Sequence, residues 1–232
     1  MRVRWSILSL VTALLVFGPA GVQAYNGSLS SDTGGLLGTG MWVDKNIAPP
    51  NQQALWYPAS IVWTVNQNVD LTWHYDYSIS VFRAAVSHAI FEASSDFTSK
   101  DIRNATGPFQ SIAIQLWNPG PGNPFMPASM YGIKFDSTTG TVVTISFDSP
   151  RVPVWGDFYA KCGAVGGMQN TIWNAGFVSP DTDPMNPPSS GSLYHHILVP
   201  DTAVPEPSGL VAMAWALAAS GLAVRRVSKR MR

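Results

Sequence analysis

The chain has 232 residues, with 14 Lys and Arg against 14 Asp and Glu, 46% hydrophobic residues, only 12% charged residues and a single cysteine, Cys162. One cysteine excludes an intrachain disulfide, and a charged share about half the usual one, with abundant Gly and Pro, points away from a nucleic-acid-binding or helical surface-charge design. Charge is also unevenly placed. Seven of the 14 basic residues lie in the two terminal segments, at Arg2, Arg4, Arg225, Arg226, Lys229, Arg230 and Arg232. Between them, from Tyr25 to Ser208, seven basic residues face 14 acidic ones, a net of −7. An acidic domain cannot replace phosphate counterions, so nucleic acid is excluded as a partner.

In chain order, the first element is Arg2 and Arg4 followed by the apolar run Ile7 to Phe17, then Gly18-Pro19 and the small-residue site Val22-Gln23-Ala24. Basic, apolar and small-residue regions in that order predict a secretory signal peptide over residues 1–24, with cleavage between Ala24 and Tyr25 by signal peptidase after passage into the translocon. A run this short falls well below the roughly 20 residues a membrane-spanning helix needs. Tyr25 to Gly40 is polar and Gly-rich and reads as a lead-in or first edge segment.

Strand signals then recur. Ile61 to Val65 is rich in β-branched residues, and Leu71, Trp73, Tyr75, Tyr77 and Ile79 alternate with polar neighbours, the period-two pattern of a half-buried strand. Further strands are expected at Ile112 to Trp117, Tyr131 to Phe135, Thr141 to Phe147, Val152 to Ala160, Thr171 to Val178 and Leu193 to Val199. Turn clusters, notably Asn118 to Pro124 and Ser179 to Ser192, separate them. Val81 to Ala93 fits a helix face through Phe82, Val86, Ala89, Ile90 and Ala93, and a strand through Val86, His88, Ile90 and Glu92. All its neighbours are β and no N-cap precedes it, which favours the strand. Eight or nine short strands without regular helices predict an all-β domain over residues 25–199, a β-sandwich of jelly-roll type.

Residues 200–208 form a linker, and Gly209 to Val224 is uncharged and followed at once by the basic cluster of residues 225–232. An apolar helix with a basic flank is held by the positive-inside rule, so a transmembrane helix with a cytoplasmic tail is expected. At 16 residues it is short and would hold the membrane weakly. Val204-Pro205-Glu206-Pro207-Ser208, this helix and Arg225-Arg226 together resemble the PEP-CTERM sorting domain of Gram-negative bacteria. That resemblance covers about the last 29 residues, from Val204 to Arg232. It implies exosortase as a partner, a transient inner-membrane-tethered precursor, and final delivery to the cell surface or extracellular matrix. It also implies, loosely, an association with exopolysaccharide and biofilm matrix. Its prolines keep the motif extended, the form in which a protease binds a substrate backbone.

The domain itself has no G-x-S-x-G elbow, H-E-x-x-H helix, phosphate-binding Gly loop or C-x-x-C pair. This predicts a non-catalytic protein without a cofactor. The alternative is a polysaccharide hydrolase, which needs two carboxylates; Glu92 would be one and Asp76, Asp148 or Asp157 the other. A Ca²⁺-dependent adhesion module is a further alternative, with Asp181 and Asp183 as candidate ligands and Asp96 in another loop. His195 and His196 are adjacent and would face opposite ways on a strand, and His74 and His88 are more simply satisfied by polar partners than by zinc. Cys162 reads as a small buried apolar residue. Trp63, Trp73 and Trp117 lie in apolar runs and are expected in the core. Trp42, Trp56, Tyr57, Trp155 and Tyr159, flanked by Pro, Gly or polar residues, are the candidates for an exposed platform that stacks on sugar rings, against the alternative that they fill the core.

Overall fold

The computed structural model describes residues 23–163, 169–179 and 186–200. Residues 1–22 of the expected signal peptide lie outside the described residues, while Ala24, before its expected cleavage point, opens the first strand. The expected linker beyond Pro200, the Val204 to Ser208 motif, the apolar run and the basic tail with Arg225 and Arg226 lie outside as well, as do Asp181 and Asp183. Among the described residues no helix is long and apolar enough to cross a membrane.

The domain is all-β with antiparallel sheets. Its strands are β1 Ala24–Ser30, β2 Leu36–Thr39, β3 Ser60–Gln67, β4 Trp73–Ser80, β5 Val86–Glu92, β6 Arg103–Thr106 and β7 Ser111–Trp117. They continue as β8 Met130–Asp136, β9 Val142–Ser149, β10 Pro153–Gly156, β11 Phe158–Cys162, β12 Thr171–Asn174 and β13 Ile197–Pro200. A five-stranded sheet runs β1-β3-β4-β9-β6, a six-stranded sheet runs β2-β12-β11-β5-β8-β7, and β10 pairs with β13. One core holds the inward residues of both larger sheets: Ile61, Trp63, Val65, Tyr75, Tyr77, Ile79 and Phe147 meet Ala89, Phe91, Phe135, Phe158 and Ile172. Rings dominate the contact, with Tyr77 stacked on Phe91 at 4.1 Å between centroids and Tyr75 on Phe147 at 5.3 Å. Such aromatic pairs add about 0.5–1.5 kcal/mol each beyond the area they bury.

The period-two reading holds along β4, where Trp73, Tyr75, Tyr77 and Ile79 are buried and the residues between them are half-buried. Leu71 departs from it. It sits in the β3–β4 turn with φ 66° and is 67% exposed, because Leu71 N–H bonds back to the Asn68 carbonyl and closes a tight turn before the strand begins. The ambiguous segment is a strand from Val86, preceded by a bend at Phe82 to Ala84. The expected strand Val152 to Ala160 is two strands, β10 and β11, parted at Asp157, and Thr171 to Val178 stops at Asn174. β6 had no expected counterpart, and β1, but for Ala24, and β2 fall in Tyr25 to Gly40, the stretch read as a lead-in or first edge segment. β1 lies at the edge of the five-stranded sheet, with Ala24 opposite Asn66 and Tyr25 opposite Val65.

The outer face of the six-stranded sheet carries a smaller apolar cluster of Ile90, Met126, Met130, Tyr159 and Phe177. The loop between β7 and β8 folds back to make it, so this face is partly covered rather than bare.

Candidate functional site

The aromatic candidates separate by burial. Trp42 is fully buried and its indole N–H donates to the Arg83 carbonyl at 2.6 Å. Trp155 is 2% exposed and belongs to the main core. Tyr159 is fully buried on the outer face of the six-stranded sheet, its hydroxyl donating to the Pro124 carbonyl at 2.7 Å. These three are corrected from platform to core, because chain that is remote in sequence folds over them. Trp56 is half-buried with its indole on the Met41 carbonyl, and Tyr57 is 39% exposed with its hydroxyl on the Val81 carbonyl. Of the five platform candidates only this adjacent pair keeps an accessible ring surface, with Phe82 edge-on to Tyr57 at 5.6 Å. Trp63 and Trp73 are core as expected. Trp117 is not; it is half-buried, and the Lys134 ammonium lies 5.0 Å from its ring centre.

Three separate apolar runs each contribute one polar residue to a common point. Asp157 parts β10 from β11, Asn174 ends β12, and His196 precedes β13. Asp157 Oδ1 accepts from Asn174 Nδ2 at 2.7 Å and from His196 Nδ1 at 3.0 Å. A carboxylate only accepts, so the His196 Nδ1 carries a proton. Asn174 in turn accepts the Phe158 amide at 2.8 Å, and Glu92 Oε2 accepts the Asp157 amide at 2.7 Å. His196 and Asn174 are fully buried and Asp157 is 6% exposed. Two glycines make room. A Cβ at Gly156 would lie 2.8 Å from Glu92 Oε2, and one at Gly176 would lie 2.5 Å from the Tyr194 carbonyl and 3.1 Å from the His196 ring.

Of the possible partners for Glu92, the structure thus brings Asp157 close and leaves the others away. Asp76 lies on β4 of the other sheet, opposite Ser146. Asp148 ends β9, where it accepts from His74 Nδ1 at 2.7 Å, Asn104 Nδ2 at 2.7 Å and Asn68 Nδ2 at 3.3 Å. Burial pushes the Asp148 carboxyl up, but these hydrogen bonds, led by Asn104, outweigh it and hold the group below the usual carboxylate range. A shallow open pocket lined by Gln67, Asn68, Val69, Asp70, Thr72 and Asp148 adjoins it. Asp70 is lowered as well, first by the Thr72 hydroxyl.

His88 points out of the core under the β7–β8 loop, with Nδ1 4.0 Å from Asp136 and its ring 6.0 Å from Tyr159. Burial, then the charges of Lys134 and Lys161, push its pKa down to about 3 against the weaker pull of Asp136 and Asn123. His74 and His88 therefore serve different sheets, each beside its own polar partner; His195 is exposed and His196 buried, and both precede β13 rather than lying on a strand. Cys162 is buried, its sulfur accepting from the Asn170 amide at 3.2 Å. Asp96 meets Arg151 at 3.4 Å. Among the described residues no group of three His, Cys, Asp or Glu is placed to hold a metal ion.

The Asp157 node was missed as a unit in the sequence. Its signal was a lone polar residue inside each of three apolar runs, but only the fold tells that the three converge. Comparison with protein-family profiles, with curated proteins and with solved structures gives no match.

Proposed function

We propose that this is an exported, non-catalytic cell-surface or extracellular-matrix protein. In this reading it is sorted and processed by an exosortase through its PEP-CTERM tail and is associated with exopolysaccharide. The observation that carries the reading is the tail sequence itself, Val204 to Ser208 followed by the uncharged run Gly209 to Val224 and Arg225-Arg226, in a chain whose first 24 residues follow the basic, apolar and small-residue order of a signal peptide. A β-sandwich of jelly-roll type is the cargo; passage of the chain between the two larger sheets from β1 to β2, β2 to β3, β4 to β5 and β5 to β6 supports that finer description. The hydrogen bonds of Asp157 are spent on its own neighbours in a solvent-excluded node, which favours a structural tie over catalysis. Trp56 and Tyr57 are the rings left for a polysaccharide to stack on.

Deleting Val204 to Arg232 and following the protein by fractionation and intact mass tests this. Loss of processing and of surface delivery is expected, and unchanged delivery with an unchanged mass would overturn the sorting claim.

A second reading, a polysaccharide hydrolase, is favoured by one contact, the Glu92 carboxylate on the Asp157 amide. By chain geometry that places the two carboxyl groups within about 8 Å, inside the range glycosidases use. Release of reducing ends from a polysaccharide, abolished in both Glu92→Gln and Asp157→Asn, would establish it over the first. The Ca²⁺-dependent adhesion reading stays with Asp181 and Asp183, and a melting temperature unmoved by chelator would remove it.

A further inference from the structure

A sheet edge is a row of unpaired amide and carbonyl groups, and folds protect such edges with charge, proline, bulges, shortness or a covering loop. Three of the four edges of the two large sheets carry such devices. β1 is covered, since Gly191 N–H donates to the Asn26 carbonyl at 2.7 Å and the Asn26 amide donates to Ser190 at 3.3 Å. β2 has four residues. β6 has four residues, a register shift, the exposed Arg103, and Asn104 with φ 50°. The β10–β13 pair is short, begins and ends on proline, and is largely buried.

Among the described residues β7 has none of them. It is seven residues long, Ser-Ile-Ala-Ile-Gln-Leu-Trp, with no charge, proline or glycine, and it is in unbroken register with β8 from Ser111 to Trp117. It ends the six-stranded sheet, and no residue of it is fully buried; Leu116 is 54% exposed. Among the described residues no strand pairs with its outer side.

The sequence also suits self-pairing. An antiparallel two-fold keeps each side chain on its own sheet face only when one residue lies opposite its own copy. Centred on Ile114, it places Ile112 opposite Leu116, Ala113 opposite Gln115 and Ser111 opposite Trp117, with no like charges opposed. In a domain of net −7 this uncharged stretch is where two copies meet with the least repulsion. The nearest charge, Lys134 beside Ala113, is already paired with Asp136 at 2.9 Å.

We infer that β7 is a self-association edge at which a second copy of this chain adds antiparallel, joining two six-stranded sheets into one. The occupant is another copy rather than a foreign strand, because the register above is satisfied by the strand's own sequence.

Sedimentation of the full chain in mild detergent tests this, together with hydrogen exchange at low and high protein concentration. Concentration-dependent dimers are expected, with amides of residues 111–117 exchanging more slowly in the concentrated sample. The pair Ala113→Glu and Gln115→Glu sets two carboxylates against each other across the two-fold, while the acid introduced at position 113 stays beside Lys134 in its own chain. That variant should be monomeric with an unchanged circular dichroism spectrum. Ala113→Glu with Gln115→Lys sets opposite charges across the same axis and should restore the dimer. A wild-type chain that stays monomeric, dimers that leave residues 111–117 unprotected, or a doubly acidic variant that still dimerises would each overturn the inference. If the doubly acidic variant does not fold, the wild-type exchange experiment decides alone.

Discussion

Among the described residues two histidine–aspartate pairs are hydrogen-bonded, with nearly equal length and unequal weight. His196 and Asp157 are 3.0 Å apart with side chains 0% and 9% exposed; His74 and Asp148 are 2.7 Å apart and 38% and 19% exposed. The shorter pair is the more weakly held, since water competes for each partner and solvates whichever is left behind. The longer pair ties β11, β12 and the entry to β13 in a place water does not reach. Contact distance says less about energy than what each group would face alone.

Asp157→Ala breaks this comparison most severely. It strands the His196 Nδ1 proton and the Asn174 amide inside the fold, and it removes a buried carboxylate that both of them contact. A loss of roughly 3–5 kcal/mol is expected in denaturant unfolding. A loss below about 1 kcal/mol would mean that the node opens to water.

His88 supplies a third case, a buried histidine whose nearest carboxylate, Asp136, lies 4.0 Å away, beyond hydrogen-bond reach. Its folded pKa, near 3, lies below the unfolded value of 6.5, so the unfolded chain takes up a proton first as pH falls. The stability it contributes is complete above pH 6.5 and is lost as pH drops towards about 3. Urea midpoints measured across that window should decline, and His88→Gln should flatten the decline. An equal slope in wild type and variant would place the pH response elsewhere.

How much of this was legible beforehand follows the same divide. β4 was readable because its buried face depends on alternation alone, and a strand's period is written in its sequence. Trp42, Trp155 and Tyr159 stayed open between platform and core because their Gly, Pro and polar neighbours describe the local chain, whereas Arg83 over Trp42, Leu198 opposite Trp155 and Pro124 over Tyr159 come from far along it. β6 was invisible because Arg103 to Thr106 pairs at an edge and needs no apolar face. The Asp157 node lies between these cases: each member was an odd residue in an apolar run, and their meeting was a matter of topology.

Gly176→Ala probes the node from the side. Its added methyl would press on the Tyr194 carbonyl and the His196 ring, and those groups are fixed by backbone and by Asp157. Overpacking of this kind costs about 1–3 kcal/mol. Thermal unfolding should show a loss smaller than that of Asp157→Ala, and in the double variant the two losses should not add, because both act on His196. Additive losses would mean that the Tyr194 carbonyl alone carries the clash.

The smallest effect is expected at the exposed pair. His74→Ala should cost less than about 1 kcal/mol at neutral pH, since Asp148 keeps Asn104 and Asn68 as donors and gains water. The acid side distinguishes the partners. Asp148 sits below its unfolded pKa, so the stability it contributes is present above that value, 3.8, and is lost as pH falls through the folded value. Asn104 is the leading donor among the bonds that lower it, so Asn104→Ala should weaken the acid dependence below pH 4 more than His74→Ala does, as followed by fluorescence unfolding. The reverse order would mean that the imidazole governs this carboxylate, and the two histidine–aspartate pairs would then differ in burial alone.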